Sequence, residues 1–333
     1  MRILIIGPGS IGSRHLRNLL SLGYDQLSVV SRSGVLQNEF SNLPVYTSIS
    51  GALASNSFDV AIICSPTSNH SDDLRKLLDA KINKIYLEKP VSHSLEHMDE
   101  LKELATTNGA NITVGFDLHF DPGMQRVKHL ITENTIGKVV SVNAVVGQYL
   151  PDWRPQQDYR IGMSAKKESG GGVMLDLIHE FDYLLWLMGS VDKISCQYSY
   201  TGALEIATED VCDVLLRFKS RATGTIHLDY LQQKLVRNCM ITGTEGSICW
   251  NLADRLVTWI DFSKNENQFS YENFDRNDRF IQIMKSFLQN ESDERLTNFE
   301  QGIESLKLVI AAKYSSEHDV FVSPASFSFL SNN

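Results

Sequence analysis

Gly7-Pro8-Gly9-Ser10-Ile11-Gly12 decides how this chain is read. The hexapeptide has GxGxxG spacing and stands between an apolar run, Arg2–Ile6, and a segment of helical character, Ile11–Leu22. In such a strand–turn–helix the first glycine permits a tight turn and the second lets a pyrophosphate approach the backbone. The third packs the helix onto the strand, and the helix N-terminus faces the phosphates. Gly7, Gly9, Ser10, Ile11 and Gly12 are therefore the expected phosphate contacts. The alternative is a purely structural glycine turn; the strand before, the helix after and the N-terminal position favour the nucleotide.

Working outward, short apolar runs alternate with helix-like segments up to about residue 120. The runs are Arg2–Ile6, Leu27–Ser31, Val60–Cys64, Lys84–Leu87 and Ile112–Val114, and the helix-like segments include Ser48–Ser55, Ser71–Asp79 and Ser94–Thr107. Strand–helix alternation of this kind predicts a parallel, doubly wound sheet, here a Rossmann domain over residues 1–120. The pattern then changes. A helix at Pro122–Glu133 is followed by strands at Val139–Gly147, Lys193–Tyr200, Asp210–Phe218, Ala222–Asp229, Leu235–Thr242 and Gly246–Asn251. Short links such as Lys219–Arg221 and Gly243–Glu245 make that sheet mostly antiparallel and open. One apolar helix over Gly172–Met188 and two late helices, Asp278–Asn290 and Phe299–Ser316, complete an α+β domain over 121–320. A serine-rich tail at 321–333 is expected to be loosely held. The fold class is thus α/β, with a doubly wound N-terminal domain and an α+β C-terminal domain.

Bulk properties exclude several alternatives. The 333 residues carry a net charge of −9, against the basic surface that nucleic acid requires. No apolar run reaches the roughly 18 residues of a membrane span. The five cysteines, Cys64, Cys196, Cys212, Cys239 and Cys249, are odd in number and form no CxxC pair. Neither a disulfide framework nor a metal site is expected, and the reducing cytoplasm is the expected location.

Cofactor choice turns on Ser31-Arg32-Ser33, about twenty residues after the glycine loop. An NAD site places an acid there for the ribose hydroxyls. Here no carboxylate repels a 2′-phosphate, and Arg32 with its flanking hydroxyls suits one, so NADP is favoured over NAD. Arg32 stacked on adenine or facing water is the plainer alternative. At the ends of later strands, Ser65, Pro66, Thr67 and His70 are placed to meet ribose and nicotinamide, as are Glu88 and Lys89 of Leu87-Glu88-Lys89-Pro90. A lysine beside nicotinamide can bind the substrate oxygen that gains or loses a proton.

The glycine loop, Glu88-Lys89-Pro90 and the segment Gly170–Gly189 together resemble the glucose-fructose oxidoreductase / inositol dehydrogenase / MocA family over residues 1 to about 320. The resemblance implies a lysine, Lys89, that contacts nicotinamide and substrate. It also implies dimers or tetramers joined through the open sheet. On a helical wheel Asp176, His179, Glu180 and Tyr183 share one side of Gly172–Met188, so Asp176 reaches His179 and can fix its tautomer. Pattern alone leaves a solvated acidic face and a core histidine as the simpler reading. The resemblance reverses that, because the family's catalytic histidine and its acidic partner lie in such a segment. Many members have three residues between acid and histidine, and here only Leu177 and Ile178 intervene, so either Asp176 or Asp182 is left as the orienting carboxylate.

Upstream, Tyr149–Pro155 and Asp158-Tyr159-Arg160 combine aromatic rings, acids and arginines, which suits a sugar; Trp153, Tyr159, Arg160 and His179 are the expected substrate contacts. An ordinary surface loop anchored by Trp153 is the alternative. The segment is also similar to a subgroup associated with bacterial surface-sugar pathways. The expected activity is hydride transfer between nicotinamide and a CH–OH/C=O group of a sugar or nucleotide sugar, with Lys89, His179 and Asp176 as the catalytic set. The expected assembly is a homodimer or homotetramer without nucleic-acid or membrane partners. A non-catalytic NAD(P)-sensing regulator is the rival, disfavoured because a sensor needs neither Lys89 nor His179.

Overall fold

The computed structural model describes residues 1–289 and 292–327. The chain divides into two compact units, Met1–Asp117 with Arg276–Ile303, and Leu118–Asp275 with Glu304–Asn333. The first unit is built on strands β1 (Ile3–Ile6), β2 (Leu27–Val30), β3 (Val45–Tyr46), β4 (Val60–Ile63), β5 (Lys84–Leu87) and β6 (Asn111–Val114), all paired in parallel in the order 6-5-4-1-2-3. Every residue of β1, β2 and β4 is buried, as expected of central strands covered on both faces. Helices α1 (Ser10–Ser21), α2 (Ile49–Ser55), α3 (His70–Asp79) and α4 (Met98–Asn108) alternate with them. This is the Rossmann arrangement, and it presents the carboxyl ends of β1, β4 and β5 along one edge.

The second unit opens with α5 (Pro122–Thr132), whose N-terminus is capped by the Asp121 side chain. Its sheet comprises β7 (Val139–Gly147), β8 (Val191–Ser199), β9 (Val211–Phe218), β10 (Thr223–Asp229), β11 (Val236–Gly243), β12 (Ser247–Asn251), β13 (Leu256–Ile260) and β14 (Glu266–Ser270), in the order 14-13-12-11-7-10-9-8. Only β7 and β10 pair in parallel; the other neighbours are antiparallel. Cys212, Val214, Leu216 and Phe218 of β9 are buried, while Leu215 between them is exposed. One face of this sheet thus joins the core and the other is open.

Strands β3, β13 and β14 were not expected from the sequence, and three expected segments take a different form. Instead of one helix over Gly172–Met188, α6 (Val173–Asp176) stops, Leu177 turns at φ −101° and ψ 31°, and α7 (His179–Met188) starts afresh. The phase of α7 follows from two buried acids that need partners. Glu180 accepts from Nε and Nη2 of Arg237, each at 2.8 Å, and Asp182 meets His119 Nε2 at 2.9 Å.

Second, Arg276–Ile303, expected in the C-terminal domain, packs in the first unit. There α8 (Arg276–Gln289) brings Phe287 edge-on to Tyr86 at 5.5 Å, and Lys84 Nζ donates to the Leu288 carbonyl. After it β15 (Thr297–Asn298) lies antiparallel to β6. Helix α9 (Phe299–His318) then begins in the first unit and continues in the second.

Third, the expected loose tail is docked as far as it is described. Val322 pairs with Ile194, Pro324 is buried, and Phe327 meets the Tyr314 ring edge-on at 5.1 Å. Residues 328–333 and Asn290, the expected end of α8, lie outside the described residues.

Candidate active site

In the first unit the glycine loop is shaped by its own sterics. Gly7 has φ +88°, and a Cβ there would lie 2.7 Å from the Cys64 carbonyl oxygen. A Cβ on Gly12 would stand 2.1 Å from the Gly7 carbonyl oxygen, because α1 passes directly over the turn. Gly9 has nothing within 4 Å of a Cβ position and is exposed, as is Ser10. No side chain caps the N-terminus of α1 among the described residues. An open glycine in front of uncapped helical amides is the donor set that a dinucleotide pyrophosphate fits.

Ser31 and Arg32 follow β2. The Ser31 hydroxyl is buried, donating to the Val35 carbonyl at 2.9 Å and lying 3.1 Å from the Ser33 hydroxyl, whereas Arg32 is exposed. After β4, Pro66 is exposed while Thr67 is buried, and the Ser65 hydroxyl donates to Asp73 of α3 at 2.7 Å.

Two residues expected at the cofactor instead face the protein. His70 is buried, with Nδ1 2.8 Å from the Pro90 carbonyl and Nε2 2.9 Å from the Ser65 carbonyl. Burial lowers its pKa although both carbonyls favour a proton, and its position bridges two loops rather than meeting a ligand. Glu88 also turns inward: Oε1 is 2.7 Å from Nε2 of His15, a fully buried residue of α1 that the sequence reading passed over. Its other oxygen accepts the Lys89 amide at 3.3 Å. Lys89 itself is half-buried at the end of β5, and the Lys89–Pro90 peptide is cis.

In the second unit two of the three glycines before α6, Gly171 and Gly172, meet protein of their own unit. A Cβ on Gly171 would lie 2.3 Å from the Met163 carbonyl, and one on Gly172 would lie 2.3 Å from Glu209 Oε1. Asp176, at the end of α6, accepts a hydrogen bond from the Tyr230 hydroxyl at 2.6 Å. Tyr230 is fully buried just beyond β10; burial, then the Asp176 charge, pushes its phenol well above the ordinary value.

The Trp153 ring meets Tyr230 edge-on at 5.4 Å, and its indole N–H is buried without a hydrogen-bond partner among the described residues. Asp176, Tyr230 and Trp153 therefore form one cluster. The first residue of α7, His179, is 7% exposed. Glu180 and Asp182 are committed to Arg237 and His119, and the His119 ring stacks on Trp186 at 4.3 Å. Of the other expected substrate contacts, Tyr159 is half-buried. Arg160 is exposed and tied to Asp158 at 3.0 Å and Glu205 at 3.2 Å. Those acids raise the guanidinium beyond its ordinary range.

Tyr230, which holds Asp176, was not among the sequence candidates; its one signal there is an aromatic directly after an alternating strand.

A model described as an oxidoreductase family with an NAD-binding Rossmann fold matches residues 1–116, and a GFO/IDH/MocA C-terminal domain model matches residues 124–249. The chain belongs to the Gfo/Idh/MocA family of oxidoreductases. Among its relatives, a myo-inositol 2-dehydrogenase of Thermotoga maritima is 28% identical, covering 95% of this chain and 96% of its own length. The WlbA dehydrogenase of Bordetella pertussis, solved with NADH and UDP-GlcNAcA, superposes with a TM-score of 0.78 at 20% identity, over 97% of this chain and 98% of that one. A levoglucosan dehydrogenase in complex with NADH gives 0.84 at 15% identity over 97% and 98%. These two structures share the fold. In this Gfo/Idh/MocA chain no described helix is long and apolar enough to cross a membrane.

Proposed function

We propose that this protein is an NAD(P)-dependent dehydrogenase or reductase acting on a CH–OH/C=O pair of a sugar or nucleotide sugar. The observation that carries the reading is the open Gly9 before the uncapped N-terminus of α1, in a chain that also keeps Lys89 after β5 and His179 at the start of α7. Bound nicotinamide supplies the hydride acceptor or donor. Lys89 polarises the reacting oxygen, and His179 exchanges its proton. Asp176, held by Tyr230, is the supporting carboxylate, since Glu180 and Asp182 are spent on other partners. Trp153 offers a ring face and a buried N–H donor to a polyol.

A relative named for myo-inositol, with fold neighbours named for levoglucosan or solved with UDP-GlcNAcA, favours a polyhydroxylated ring as the substrate class, with surface-polysaccharide precursors as one setting. NADP is the favoured cofactor, because Arg32 is exposed beyond β2 with no carboxylate in Ser31–Ser33. Leu215, Met240 and Ile260 on the open face of the C-terminal sheet support a homodimer or homotetramer joined there.

The test is a screen of purified protein with NAD+ and NADP+ against myo-inositol, levoglucosan and a panel of UDP-sugars, following reduced nicotinamide. At least one is expected to be oxidised, and His179→Ala to lose that activity. The absence of turnover in either direction across the panel, with cofactor binding intact, would favour the sensor instead.

A further inference from the structure

The Glu88 carboxylate joins three parts of the first unit. Oε1 lies 2.7 Å from His15 Nε2 on α1, the helix that carries the glycine loop. Oε2 accepts the Lys89 amide at 3.3 Å. The same oxygen would stand 2.9 Å from a Cβ on Gly115, just beyond β6, so the carboxylate is also pressed against that strand end. His15 is fully buried and Glu88 nearly so. The imidazole is held edge-on by Tyr86 at 5.2 Å and by Phe280 at 6.2 Å. A buried carboxyl group with one short hydrogen-bonded side-chain partner has one stable orientation, because losing that partner leaves a buried polar atom uncompensated.

We infer that His15 is a positioning residue: through Glu88 it fixes the backbone of Lys89 relative to α1 and its glycine loop. The inference rests on the proposed role of Lys89 and adds a residue to that site. The Lys89 side chain is long and flexible, so a fixed amide is what limits where its ammonium reaches. A histidine in this place serves because its ring is rigid, fits beneath the sheet and directs one nitrogen at Glu88. Leucine would fill the space and leave the carboxylate unanswered; glutamine retains a donor.

The experiment compares wild type, His15→Leu and His15→Gln in the full chain by hydrogen–deuterium exchange, NADPH titration and turnover on the carbohydrate found by screening. His15→Leu is expected to speed exchange of the peptide carrying the Lys89 amide about tenfold, while peptides from β1 and β4 keep their protection. kcat is expected to fall roughly ten- to a hundredfold with KM little changed, and His15→Gln to recover most of both. Uniform loss of protection across the first unit in both variants would make His15 a packing residue only and overturn the inference. So would a faster Lys89 amide with unchanged kcat. If wild type turns over no carbohydrate, the dehydrogenase reading fails, and the exchange pattern with its glutamine rescue still decides whether His15 positions Lys89.

Discussion

The glycine loop of the first unit and the α6–α7 segment of the second show how differently two parts of one chain express their sequence. In the loop, backbone sterics dictate the outcome: Gly7 and Gly12 sit where a single added carbon would collide with carbonyl oxygens, and Gly9 where it would meet nothing. The roles can be read from spacing because both collisions are with main chain, Gly12 with the nearby Gly7 and Gly7 with Cys64 after the adjoining strand β4, so no partner side chain has to be known. In the α6–α7 segment the geometry is set by partners distant in sequence. Asp176 is held by Tyr230, Glu180 by Arg237 and Asp182 by His119, and the helix breaks between Asp176 and His179 to satisfy them. A helical wheel sees none of these partners.

That contrast can be broken most sharply at the glycines. Gly12→Val is expected to prevent folding of the first unit, because its Cβ would be 2.1 Å from the Gly7 carbonyl oxygen. Gly9→Val is expected to fold and melt like wild type while losing cofactor affinity by a hundredfold or so, since only the ligand's space is filled. Circular dichroism melts with NADPH titrations separate the two, and a Gly12→Val protein that folds normally would contradict the steric account.

Tyr230→Phe removes the hydroxyl that holds Asp176 and leaves the ring against Trp153. The expected loss is about tenfold in kcat, the worth of one hydrogen bond to a charged group, with cofactor affinity unchanged. Unaltered kcat would detach Asp176 from the chemistry. A smaller effect is expected at Arg32, where Arg32→Ala should weaken NADPH by several-fold and leave NADH nearly unaffected, as two titrations would show. Equal losses would remove the basis for preferring NADP.

The smallest effect lies on the open sheet face, where His227 sits between Asp229 and Asp213. The hydrogen bond to Asp229 raises the imidazole to about 9 against its partial burial, and Asp213 adds to the rise. A raised value in the folded state means that the stabilisation is complete below the ordinary 6.5 and is lost as pH climbs through about 9. The pair is solvent-screened, so the melting temperatures of wild type and His227→Gln should differ by only a degree or two below pH 6.5 and converge above pH 9. A gap that widens with pH would reverse the assignment.

The strands were largely legible, because alternation along β7 to β12 and continuous burial in β1 and β4 are periodic signals in the sequence itself. Strand β14, Glu266–Ser270, is polar on an edge and carried no such signal. The return of Arg276–Ile303 to the first unit was equally hidden, since what attracts it is Tyr86 and the edge of β6, far away in sequence. At the proposed site, Lys89 and the glycines were proposed from motif spacing, whereas His15 and Tyr230 are added from the side chains they touch.

The division between holding the cofactor and acting on the substrate is tested most directly by measuring NADPH affinity and turnover on the same samples of Lys89→Ala and His179→Ala. Affinity should stay within a few-fold of wild type while turnover falls by roughly two to four decades, the usual worth of a positioned acid or base. Near-wild-type turnover in both variants would contradict the account.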